Sequence, residues 1–116
     1  MHINNSIDYR IAAGKVVDKL LNMFNSYLVE KISFPDGLRY RVRILATEDR
    51  FLDVDVVNRF DKLFIELWLP NYATPFLVIE RSAREDVDNI VRDVARIITI
   101  LWRVRKRRRT VTIRRT

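Results

Sequence analysis

Three carboxylates carry the first chemical signal. Asp53 and Asp55 alternate with apolar residues in LDVDVV (52–57), and Glu66 sits in LFIELW (63–68). A two-residue spacing puts Asp53 and Asp55 on one face of a strand, and the next strand brings Glu66 beside them. Carboxylates on adjacent strands can bind Mg²⁺ while substrate phosphates complete its shell. Upstream, Arg39, Arg41 and Arg43 alternate in the same way in LRYRVRIL (38–45). If neighbouring strands pair through short connections, Arg43 lies near Asp53, Arg41 near Asp55, and Asp53 near Glu66. Opposite charges across strands contribute tenths of a kcal/mol to about 1 kcal/mol each. A surface lattice of ion pairs is therefore the simpler expectation. The alternative is a metal site, with Asp53, Asp55 and Glu66 as catalytic candidates and Asp55 and Glu66 as metal ligands.

The second signal is electrostatic. Residues 103–116 read RVRKRRRTVTIRRT and hold eight Lys/Arg and no Asp/Glu. The whole chain has 22 basic and 15 acidic residues, so the remainder has 14 against 15 and a net charge of −1. The entire positive surplus sits in one segment. Arg103, Arg105, Lys106, Arg107, Arg108, Arg109, Arg114 and Arg115 are candidate phosphate contacts, with Arg39, Arg41 and Arg43 as further nucleic-acid-binding candidates on the sheet. Arginine forks onto phosphates and stacks on bases better than lysine, and here Arg outnumbers Lys 17 to 5.

Other chemistries are thin. The chain has no cysteine, which excludes disulfides, thiolate metal sites and thiol catalysis. His2 is the single histidine, too little for a Ser-His-Asp triad or a histidine zinc site. Two glycines exclude a glycine-rich phosphate loop. No cofactor is expected, and a non-enzymatic role is favoured over an enzymatic one.

The segments LDVDVV and LFIELW resemble the restriction-endonuclease-like nucleases, whose pattern is Asp on one strand and Glu-x-Lys on the next, after an N-terminal helix. Asp55 and Glu66 match in position. The resemblance covers about twenty residues and two of three catalytic positions. Trp68 stands at the lysine position, so the group that would position or activate water is missing. A double-stranded-RNA-binding module also runs helix, strands, helix. Its second helix opens with basic residues, whereas this one opens Arg84-Glu85-Asp86-Val87-Asp88.

Positioning these residues requires a sheet held by helices. Ser6 as cap and an apolar stripe through Ile7, Ile11, Val17, Leu20, Leu21, Phe24 and Leu28 predict a helix over 6–25. Gly14 lies inside it, either tolerated or admitting a close neighbour such as the C-terminal helix. Strands are expected at 27–34, 38–46, 51–57, 62–69 and, as a short apolar run, 76–79. Pro35-Asp36-Gly37 reads as a three-residue hairpin loop with a positive φ at Gly37, pairing Phe34 with Leu38. That register places Lys31 with Arg39, Arg41 and Arg43 on one face. Ser82 as cap, Glu85 completing a capping box, and a stripe from Val87 to Val104 predict a long second helix.

The expected fold is α+β: an N-terminal helix, an antiparallel sheet of four to five strands and a long C-terminal helix. Both helices lie on one sheet face, and a basic C-terminal arm follows. Residues 1–104 form a single domain and 105–116 the arm. Phe51, Phe64 and Trp68 point from the open sheet face, as a homodimer interface or, beside Lys31 and Arg39, as a platform for bases. The functional expectation is DNA or RNA binding with weak or no sequence specificity. The alternative is a structural or adaptor homodimer whose arm docks on a protein partner, and a lesser one a metal-dependent nuclease with Asp55 and Glu66. The N-terminus lacks a signal-peptide core and no run of 18 apolar residues occurs. The expectation is an intracellular (cytoplasmic) or virion-associated protein, neither secreted nor membrane-spanning. The absence of Gln and the Arg excess fit a thermophilic source.

Overall fold

The computed structural model describes the backbone of residues 2–47 and 49–115 and the side chains of residues 9–47 and 49–101. Its order is α1 (His2–Met23), β1 (Ser26–Phe34), β2 (Gly37–Thr47), β3 (Arg50–Arg59), β4 (Lys62–Trp68), β5 (Leu77–Ser82) and α2 (Val87–Arg115). The five strands form one antiparallel meander in sequence order. Short turns dictate this for the first four strands, because antiparallel neighbours need only a few residues between them, and a longer loop over 69–76 joins β4 to β5. Among the described residues, no helix is long and apolar enough to cross a membrane.

One hydrophobic core joins both helices to one face of the sheet. Val16 and Leu20 of α1, Ile90, Val94 and Ile98 of α2, and Val42, Ile44, Val54, Val56, Leu63, Ile65 and Leu67 of the strands are fully buried in it. Each such side chain stabilises the fold by about 1.5–3 kcal/mol through removal from water. Two polar ties fasten the helices. Arg84 Nε donates to Tyr9 Oη at 3.0 Å, and Lys19 Nζ pairs with Asp88 at 2.8 Å. The end of β5 is tied to α2 by Arg81, whose guanidinium bonds both oxygens of Glu85 and reaches Asp93 at 2.8 Å.

The helix ends differ from the sequence expectation. The first helix stops at Met23. The Ser26 hydroxyl donates to the Phe24 carbonyl at 2.9 Å and Leu45 N–H to the Asn25 carbonyl at 2.8 Å, which satisfies groups a longer helix would use. The second helix starts at Val87 because Asp86, not Ser82, caps it. Asp86 Oδ1 accepts from Asp88 N–H, and its carbonyl from Asn89 and Ile90 N–H. Ser82 ends β5 instead and closes a turn through Arg84 and Glu85 N–H.

The first hairpin corrects a register. Phe34 pairs with Gly37, so the loop is only Pro35-Asp36, and no glycine has a positive φ. Gly37 is required by proximity: a Cβ there would lie 1.8 Å from the Asn58 carbonyl oxygen. Shortening the loop by one residue exchanges the faces of β1. Lys31 therefore falls opposite Tyr40 on the helix side, with its ammonium 5.5 Å from that ring. Glu30, Ile32 and Phe34 fall on the open side. A bulge between Leu28 and Glu30 then restores Tyr27 to the open side opposite Arg43.

The second tight turn, Phe60-Asp61, places Phe60 at φ 54°. Buried Asn58 holds it, donating from Nδ2 to the Phe60 and Lys62 carbonyls, both at 3.1 Å.

Candidate functional site

The open face is built of cross-strand rows. One row reads Glu30, Arg41, Asp55, Glu66, Val78 from β1 to β5. The row beside it reads Ile32, Arg39, Val57, Phe64, Glu80, and that on the other side Tyr27, Arg43, Asp53, Trp68. Arg43 with Asp53 and Arg41 with Asp55 are thus the pairs the alternation implies. Glu66 stands opposite Asp55 rather than Asp53, whose partner is Trp68. The two-residue turn between β3 and β4 sets that register.

The salt bridges are two-pronged. Arg41 Nε and Nη2 donate to the two oxygens of Asp55 at 2.7 and 2.9 Å. Arg43 does the same to Asp53 at 2.8 and 3.0 Å. Arg39 bridges the centre, with Nη2 3.4 Å from Glu66 Oε1 and Nε 3.6 Å from Asp55 Oδ2. Each of the two forked guanidinia also lies on a ring: Arg41 is 5.1 Å from the Trp68 centroid and Arg43 4.0 Å from that of Phe51. Fork geometry and planarity make arginine suited to both contacts at once.

Although no second layer covers this face among the described residues, Asp55 is fully buried and Asp53 nearly so. The arginine stems and rings above them exclude water. β3 is the middle strand and is buried from Leu52 to Asn58, so its acids lie deepest. Hydrogen bonding to Asp55 raises the Arg41 guanidinium above its ordinary range, and hydrogen bonding to Asp53 raises Arg43 likewise. Among the described residues, two buried donors of the face lack a hydrogen-bond partner, Arg39 Nε and Trp68 Nε1.

This geometry places the candidates as follows. Arg39, Arg41 and Arg43 come together, but each is already committed to a carboxylate. Asp53, Asp55 and Glu66 also come together, with Arg39 between Asp55 and Glu66. A cation at Asp55 would have to displace Arg41. Among the described residues, no group of three or more acidic or histidine side chains is arranged to hold a metal ion. The arm candidates Arg103, Arg105, Lys106, Arg107, Arg108, Arg109, Arg114 and Arg115 lie outside the residues whose side chains are described. Glu30 and Ile32 belong to the open face and were not among the candidates; the length of the first hairpin loop was the missing signal. Comparison of the chain with protein-family models, with curated proteins and with solved structures finds no match.

Proposed function

We propose that the chain binds nucleic acid with weak or no sequence preference, holding phosphates through the arginine-rich segment that ends α2. The observation that carries this is the division of charge. The eight cations of 103–116 have no acid among them, while the remainder has a net charge of −1. The sheet arginines do not compete for the role, because Asp53, Asp55 and Glu66 already neutralise them. A phosphate backbone is the polyanion that matches such a run, since each neutralised phosphate releases a condensed counterion.

The test is a titration of DNA and RNA oligonucleotides across salt concentrations, with the full chain and a chain ending at Arg103. Contacts to about five to seven duplex phosphates give a slope of log K against log salt near −5 to −6. The shortened chain is expected to fold, because among the described residues Ile98 is the last fully buried side chain of α2, and to lose most of that slope. Equal affinity and equal slope for the two chains would remove the arm from the mechanism.

A further inference from the structure

We infer that a second copy of this chain covers the open sheet face, stacking sheet on sheet about a twofold axis. The first argument is charge. A fourth row on this side reads Phe34, Gly37, Arg59, Lys62, Ser82, and with it the five cations Arg39, Arg41, Arg43, Arg59 and Lys62 stand against the five acids Glu30, Asp53, Asp55, Glu66 and Glu80. On a chain of net charge +7, this face can meet itself without like-charge repulsion. It also offers a phosphate backbone no uncommitted arginine from its centre, which favours protein over nucleic acid as occupant.

The second argument is composition. Arginines on aromatic rings are flanked by Tyr27, Ile32 and Val78, all of them exposed, with Phe64 and Trp68 between. Interface cores are enriched in aromatic residues and arginine, and hot spots cluster on tryptophan, tyrosine and arginine. Placing Ile32 on this side depends on the two-residue hairpin loop.

The third argument is area. Five strands of six to eleven residues at about 4.8 Å spacing present roughly 700 Å², close to the ~800 Å² per partner of a stable complex. Two such faces pack about 10 Å apart, and a self-complementary patch closes as a dimer instead of extending. The Trp68 indole N–H, buried without a partner among the described residues, lies within this face. The pairing stands independently of what the arm binds.

The experiment is sedimentation and light scattering of the full chain, without nucleic acid, at micromolar concentration. Ionic strength is set near 1 M, where a Debye length of about 3 Å suppresses repulsion between arms. The expected mass is twice 13.9 kDa. Ile32→Glu combined with Val78→Glu changes two exposed positions and is expected to weaken pairing by about a hundredfold or more. Ile11→Glu, on the exposed side of α1, leaves the mass unchanged. Oxidative footprinting of the unaltered chain provides a readout that needs no variant: Phe64 and Trp68 gain reactivity on dilution below the dissociation constant. A monomer at micromolar concentration, a dimer indifferent to the double change, or footprints unmoved by dilution would each overturn the inference. So would a monomer that loses affinity for a single-stranded oligonucleotide on Trp68→Ala, which would assign the face to bases.

Discussion

Removing the Arg41 guanidinium tests the open-face lattice most directly. Asp55 is fully buried, whereas the Arg41 side chain is about one quarter exposed. Leaving one partner of a buried pair uncompensated costs 3–5 kcal/mol. Here the figure shrinks to about 2–3 kcal/mol, because water can enter from the exposed side. Arg39, 3.6 Å from Asp55, also retains part of the neutralisation. Loss of the stack on Trp68 adds about 0.5–1 kcal/mol. Arg41→Met should therefore cost about 2–4 kcal/mol of a total near 6–15 kcal/mol for a chain this size, and lower Tm by roughly 10 °C. Arg41→Met combined with Asp55→Leu should recover most of the loss, since apolar pairs of similar volume replace buried ion pairs at little cost. Urea unfolding followed by circular dichroism measures all three variants, with equal m-values as the check that only stability has changed. Lys19→Ala, which breaks a solvent-exposed bridge, is the comparison and should stay within about 0.5 kcal/mol. A cost for Arg41→Met below about 0.5 kcal/mol, or a double variant as unstable as the sum of the singles, would refute the reasoning.

Gly14→Ala should raise stability by about 0.5–1 kcal/mol, because among the described residues the added Cβ meets only Tyr40 Oη at 3.5 Å; a lower Tm would reveal a constraint the packing does not show. Phe60→Gly should also stabilise, by about 0.5–1 kcal/mol, relief of the left-handed backbone outweighing the entropy of a glycine; thermal unfolding decides the sign. Hydrogen bonds from Arg81 hold the Glu85 carboxyl below its ordinary 4.5. The unfolded chain therefore takes up that proton first as pH falls, and the contribution is whole above about pH 4.5 and lost through the lower folded pKa. Glu85→Gln should flatten the acid side of a Tm-against-pH profile, and an unchanged slope would count against the bridge.

The order of elements was legible in the chain because local patterns decide it. Alternation in 38–45, 52–57 and 63–68 marks strands, and the Val87-to-Ile98 stripe marks a helix. Alternation likewise implied the pairs Arg41–Asp55 and Arg43–Asp53. Gly14 was open to two readings, and its surroundings resolve to tolerance: the nearest neighbour is Tyr40, not α2. The charge imbalance that supports the proposed function is likewise a property of sequence alone.

Only the tertiary structure decided the rest. The conformation of Pro35-Asp36-Gly37 depends on how closely β3 approaches Gly37, and no local propensity records that. With the loop one residue shorter, β1 turns over, Lys31 leaves the open face, and Glu30 and Ile32 join it. The cap of α2 was misread for a similar reason: Ser82 and Glu85 have the spacing of a capping box, but pairing of Ser82 with Lys62 keeps it in β5 and leaves Asp86 to cap the helix. The depth of Asp55 is also non-local. A carboxylate that reads as surface charge in sequence is buried because the third strand is the middle of five and arginines fold over it from its neighbour.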